Sequence, residues 1–151
     1  MNTQETNRKI DTVARECLAM RTRVLNRVVT KIYDRALQPL GLKASQLNIL
    51  VAAGKLDLAR PLEVCRALQL DASTLSRNVE RMKAQGWLEN AAGEDARTQP
   101  FRLTTSGKRL LERAMPAWER AQRKTGLLLG EKGVGLLNAV TKNLNRGTAN
   151  R

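Results

Sequence analysis

Two short helical segments lie close together in the middle of the chain, and their spacing constrains the fold more than any other feature. Proline suits the first turn of a helix because its missing N–H would have no partner there, so Pro61 predicts a helix over 61–68. Asp71 is a helix-capping residue type and predicts a second helix over 72–85, with Gly86 just beyond its end. We therefore expect a helix-turn-helix.

The second of these helices has two chemically different faces. Leu75, Val79 and Met82 recur at helical spacing and predict a buried apolar stripe. The remaining surface carries side chains that can hydrogen-bond to base edges and phosphates: Ser73, Thr74, Ser76, Arg77, Asn78 and Arg81. This face predicts a recognition helix for a DNA major groove, and its alternative interpretation is an ordinary solvated helix surface.

Within this set, Arg77 and Asn78 are predicted to read bases. Arginine can bond bidentately to guanine and asparagine to adenine, which gives roughly 1–3 kcal/mol of discrimination. Ser73 and Ser76 are predicted to hold phosphates, and Arg102, further along the chain, is a candidate for the same role.

A small β-hairpin is predicted after the second helix. Two short apolar-containing segments, 87–90 and 101–104, flank a polar and charged loop over 93–100. Arg97 in this loop is predicted to enter a minor groove, and Asp95 would accept its hydrogen bonds and fix its direction. The alternative is a surface ion pair worth about 0–1 kcal/mol. A hairpin in this place forms the wing of a winged helix-turn-helix.

The segments that carry these signals resemble the MarR family of bacterial transcription regulators. The resemblance rests on Ser73–Leu88, on Asp95-Ala-Arg97, on Leu103–Gly107 and, upstream, on Leu40–Leu50. It implies a mainly α-helical winged fold with a small β-wing and an Asp95–Arg97 pair. It also implies a homodimer that binds double-stranded DNA, most often as a repressor, and that responds to a small-molecule effector.

Charge and composition narrow the function classes. The 151 residues include 27 Lys and Arg against 14 Asp and Glu, a net charge of +13 that favours a polyanionic partner. No run is apolar enough to span a membrane and the beginning of the sequence lacks a signal-peptide core, so we expect a cytoplasmic protein. With no histidine and two cysteines, a His-based triad and a four-ligand Cys/His zinc site are excluded. No enzyme activity, cofactor or metal is expected.

Long amphipathic helices are predicted at both ends of the chain. The first is predicted over 10–38 and stops at Pro39; the last begins at Thr105, bends at Pro116 and breaks over 126–130. Because none of them is placed to complete the winged core, we expect a homodimer on a near-palindromic site. The whole chain, 1–151, is interpreted as one domain. Residues 44–104 are its DNA-binding lobe, and 10–38 and 106–146 are its dimerisation helices.

Two further hypotheses concern how such a regulator is controlled. The effector would lie between the lobe and the dimerisation helices, where Met20, Tyr33, Trp118 and the Leu110–Leu111 region could line a pocket or simply pack. Cys17 falls where the peroxide-sensing branch of the family has a reactive thiol, but it also lies on an apolar stripe, as an inert buried cysteine would. Cys65 is predicted to be core. A winged module that binds RNA or protein is the remaining alternative.

Overall fold

The structure, a computed structural model, describes residues 2–91 and 98–148, with side chains described to 144. It is mainly helical with one small antiparallel sheet, as the sequence predicts. Its elements are α1 (Thr3–Glu16), α2 (Leu18–Leu37), a 3₁₀ turn (Gln38–Leu40), α3 (Ala44–Leu56), α4 (Pro61–Leu68), α5 (Ala72–Ala84), β1 (Leu88–Asn90), β2 (Phe101–Leu103) and α6 (Thr105–Thr148). The helix-turn-helix is therefore α4 and α5.

Local capping chemistry sets the ends of α4 and α5. Pro61 occupies the first turn of α4, and Gln69 ends that helix in a left-handed conformation. Asp71 accepts a hydrogen bond from the Thr74 N–H and so begins α5. Gly86, at φ +76°, reverses the chain after α5, a conformation that glycine adopts without steric penalty. The predicted bounds of both helices are confirmed to within one residue.

The wing strands pair in a short antiparallel sheet. Leu88 lies opposite Leu103, and Asn90 lies opposite Phe101. Ala59 extends this sheet by one bridge, because its N–H and carbonyl both bond to Phe101 at 2.9 Å. The segment just before α4 therefore adds a third strand position at the base of the wing. Asp95 and Arg97 lie outside the described residues.

One hydrophobic core joins the winged lobe to both flanking helices. Its members come from the lobe (Leu47, Ile49, Leu50, Ala53, Ala59, Val64, Leu75, Val79, Met82, Leu88, Phe101, Leu103) and from the flanks (Leu37, Leu42, Leu110, Ala114, Ala117). The prediction that no end helix completes the winged core is wrong. The last turn of α2 and the first turns of α6 close it, because the lobe alone leaves that side of α3 uncovered.

The helices at the N-terminal end differ from the prediction in two places. The single helix expected over 10–38 is two helices, since Cys17 has an extended backbone (φ −66°, ψ 107°) between α1 and α2. The sequence also predicts a looser chain from Gly54, but α3 continues to Leu56 and ends at Asp57, which has φ +60°. A glycine inside a helix costs about 1 kcal/mol relative to alanine, yet α3 continues through Gly54.

The last helix also begins and breaks differently from the prediction. Thr104, not Thr105, caps α6, because its Oγ1 accepts the Gly107 N–H at 2.9 Å. The helix does not depart from helical backbone angles at Pro116; the one described departure is at Gly130, with φ +67° and ψ 170°. The predicted break over 126–130 is thus confirmed at its last residue. In the described part of the chain, no helix is long and apolar enough to cross a membrane.

Candidate nucleic-acid interface

Packing fixes the orientation of α5. Leu75, Val79 and Met82 are buried in the core, so the opposite side of the helix faces outward. Of the predicted contact residues, Ser73, Ser76, Arg77 and Arg81 are exposed, whereas Thr74 and Asn78 are half-buried. The helix therefore presents its polar residues on a rigid support, as groove recognition requires.

Asp71 organises the first turn of α5. One carboxylate oxygen accepts the Ser73 hydroxyl at 2.6 Å and the Thr74 N–H at 2.8 Å, and the other accepts the Thr74 hydroxyl at 2.8 Å. These bonds, the Ser73 hydroxyl first, hold the pKa of Asp71 well below its usual range, and the nearby Arg77 charge adds to the effect. Because both hydroxyl protons point to Asp71, neither serves a phosphate in this arrangement. The predicted phosphate contact of Ser73 would require its hydroxyl to turn away from Asp71.

Arg77 and Asn78, the two predicted base readers, differ in their availability. The Asn78 side-chain amide donates to the Thr74 carbonyl at 2.9 Å, so part of its hydrogen-bonding capacity is used within the helix. Arg77 is exposed and has no ion pair within the described residues. Its five N–H donors are therefore available to a partner.

The wing contributes one oriented cation among the described residues. Arg102 lies opposite Glu89 in the strand register, and its Nε donates to Glu89 Oε1 at 2.7 Å. This bond leaves the two terminal nitrogens of the guanidinium free, and more than half of the side chain is exposed. Sequence reasoning singled out Arg102 but missed Glu89. The alternation of side chains along the two strands could have indicated that Glu89 pairs with Arg102, but only with the strand register known.

Three of the residues proposed to line an effector pocket do not meet in one cavity. Trp118 lines an apolar cavity of about 650 Å³ between α3, α4 and α6. Tyr33 instead donates its hydroxyl to Gln122 on α6, and burial raises the pKa of that hydroxyl. Met20 is exposed on α2. The cavity is also lined by Leu111, which belongs to the predicted Leu110–Leu111 region, and by residues that sequence reasoning did not single out, such as Leu47, Val51 and Met115.

The two cysteines lie in different surroundings. Cys17 is half-buried at the break between α1 and α2. Cys65 is half-buried and packs against the core from α4, so the prediction that it belongs to the core holds only in part. Burial raises the pKa of its thiol, with the Asp71 charge adding to the shift. Both are free thiols, and the described residues contain no cluster of ligands that could hold a metal ion.

Comparison with known proteins agrees with this geometry. The MarR family sequence model matches residues 40–98, which run from the approach to α3 into the wing. This segment of the chain resembles the MarR family. Among curated relatives, the uncharacterised HTH-type transcriptional regulator YwoH of Bacillus subtilis is 28% identical over 86 residues, 57% of this chain and 63% of YwoH. The chain thus spans less than two thirds of the length of this MarR-family relative.

Solved MarR-family structures match over most of the chain. The transcriptional regulator MosR of M. tuberculosis, solved in complex with DNA, aligns with a TM-score of 0.76 and 29% identity over 90% of this chain and 99% of MosR. BpsR of Bordetella bronchiseptica, whose DNA binding is regulated by 6-hydroxynicotinic acid, aligns with a TM-score of 0.75 and 22% identity over 85% of this chain and 98% of BpsR. The winged fold and the arrangement of the end helices are therefore shared with these solved structures.

Proposed function

We propose that this protein is a sequence-specific, double-stranded DNA-binding regulator that represses transcription as a cytoplasmic homodimer. The observation that carries the proposal is the outer face of α5, where Arg77, Arg81 and Ser76 are exposed on a helix anchored by the core. The wing adds Arg102 on a rigid strand pair. The likeness to MosR, which was solved with DNA, supports the same role.

Unburied apolar surface supports the homodimer. The exposed residues lie along α1 and α2 (Ile10, Val13, Leu18, Met20, Val24, Val28) and along the end of α6 (Leu127, Leu128, Leu136, Leu137, Val140, Leu144). So many exposed large apolar side chains on these helices are typical of surfaces that a partner covers. A two-fold dimer would cover them and would place two recognition helices on half-sites about 34–36 Å apart or a multiple of this spacing.

The apolar cavity supports control by a small molecule. It lies beside α4, the first helix of the helix-turn-helix, so a bound compound would contact the element that positions α5. Its size falls within the 300–1,000 Å³ typical of ligand pockets. We propose that a largely apolar effector bound here releases the DNA. Control by a small molecule is supported by the likeness to BpsR, whose DNA binding is regulated by 6-hydroxynicotinic acid.

The proposed DNA-reading role is tested by selecting duplexes from a random pool and comparing two variants on the selected sequence. Arg77→Ala is expected to lose about 1–3 kcal/mol of affinity and to relax the preference at one base position. Arg102→Ala is expected to weaken binding to all sequences alike, because it meets the backbone. Equal effects of the two variants on selected and scrambled duplexes would refute the assignment of base reading to α5.

A further inference from the structure

A row of four basic residues runs along α2, away from the recognition helix. Arg23, Arg27, Lys31 and Arg35 recur at every fourth position, and all four are exposed. Residues four apart lie one above the other on a helix, so these cations form a continuous ridge. The ridge extends about 18 Å along the helix axis, at 1.5 Å per residue. We refer to these four residues as the basic ridge.

The charges of the basic ridge are not balanced by ion pairs in the described part of the chain. None of its four cations makes an ion pair with a described carboxylate. Like charges four residues apart destabilise a helix, and the ridge contains three such pairs in succession. An anionic partner would remove this repulsion.

The C-terminal part of the basic ridge lines a concave surface. Arg27, Lys31 and Arg35 lie together with Lys43, at the start of α3, around a cavity of about 650 Å³. The one carboxylate in its lining, Asp34, accepts the N–H of Ala44 at 2.8 Å and so caps α3. The N-terminus of α3 adds the positive end of its helix dipole to the same concavity.

We propose that the basic ridge binds backbone phosphates of the DNA duplex, in addition to the phosphates contacted by α5 and the wing. A small anion would neutralise one or two neighbouring cations. A row of about 18 Å instead matches a polyanion in which each strand carries one phosphate per 3.4 Å of duplex axis. The proposal rests on the proposed DNA-binding function and extends its contact surface to α2. The ridge supplies affinity without sequence preference, since it meets phosphates alone.

The test is the salt dependence of binding to a long duplex of scrambled sequence. The double variant Lys31→Gln/Arg35→Gln is expected to bind more weakly. It should also reduce the slope of log K against log salt by about 0.9 for each phosphate that the ridge no longer neutralises, so by about 2 per protomer and about 4 for a dimer with both ridges on the duplex. The matched control is Arg120→Gln/Lys124→Gln, which removes two exposed cations at the same spacing on α6 and is expected to keep the wild-type slope. Circular dichroism and sedimentation establish that both variants keep the wild-type fold and assembly.

Because scrambled DNA is used, this experiment does not depend on base reading. If Arg77→Ala shows no effect but the ridge variant lowers the slope, base reading by α5 fails and the ridge proposal stands. An unchanged slope in the ridge variant, or an equal decrease in the α6 control, overturns the ridge proposal. Loss of binding to anionic lipid vesicles or to inorganic phosphate, with DNA binding intact, also overturns it and assigns the surface to that ligand.

Discussion

Gly107 offers a sharp test of the packing between the wing and α6. Gly107 is buried in the first turn of α6. It lies directly beside Trp87, the residue that precedes β1. A Cβ at this position would collide with the Trp87 carbonyl oxygen and would lie 3.2 Å from a Leu103 methyl carbon. The same carbonyl accepts the Thr104 N–H at 3.1 Å, so a shift that relieves the collision also weakens this hydrogen bond.

The expected magnitude for Gly107→Ala follows from these contacts. Inserting a methyl group into a packed site costs about 1–3 kcal/mol, and a weakened hydrogen bond adds up to about 1 kcal/mol. The higher helix propensity of alanine offsets up to about 1 kcal/mol. We therefore expect the free energy of unfolding to fall by about 1–3 kcal/mol.

Urea unfolding followed by circular dichroism at a fixed protein concentration measures this decrease, as a lower midpoint with an unchanged m-value. Gly126→Ala is the matched control, because no atom lies within 4 Å of the Cβ that it would add to the same helix. It is expected to be neutral or to stabilise the protein by up to about 1 kcal/mol. If Gly107→Ala were as stable as Gly126→Ala, the close packing of Trp87 against α6 would be refuted.

Two further predictions concern α5 and its cap. Leu75→Ala should lower the free energy of unfolding by about 2–5 kcal/mol, because Leu75 is 1% exposed. The control, Leu62→Ala, should change it little, because that side chain is 62% exposed. If the two variants lowered stability equally in thermal or urea unfolding, the assignment of Leu75 to the core would be contradicted. The lowered pKa of Asp71 means that its charged form stabilises the fold above the unfolded-state pKa of about 4, and that this contribution is lost as the pH falls further. The stability advantage of the wild type over Asp71→Asn should therefore shrink in acid unfolding curves below about pH 4, and a difference independent of pH would disprove the role of the charge.

Signals confined to neighbouring residues explain why the helix-turn-helix was predictable. Pro61, Asp71 and Gly86 act within one helical turn of their own position, so the bounds of α4 and α5 follow from sequence. The apolar spacing of α5 likewise defines its buried face, because a helix has a fixed period. The polar face of that helix, as a set of residues, therefore follows from the sequence as well.

Features that depend on contacts between distant segments were not predictable. The pairing of Glu89 with Arg102 requires the strand register, and the burial of Leu37 and Ala114 requires the packing of α2 and α6 against α3. The extended backbone at Cys17 has no helix-breaking residue beside it in the sequence. For the same reason, the sequence does not show that Trp118 and Tyr33 have different surroundings. Only the structure places Trp118 at the cavity and Tyr33 against Gln122.

The hydrogen bonds within α5 change what its polar face can do. Capping occupies the hydroxyl protons of Ser73 and Thr74, and the helix backbone takes one amide proton of Asn78. In the proposed function, direct base reading would therefore be concentrated on Arg77, with Ser76 and Arg81 beside it. One arginine per protomer distinguishes few base pairs, so a specific site needs the two-fold repetition of a dimer and the sequence-dependent shape of the DNA. In the proposed arrangement the wing and the basic ridge would hold the duplex while α5 reads it, and we expect that weakening either support lowers affinity without altering which bases are preferred.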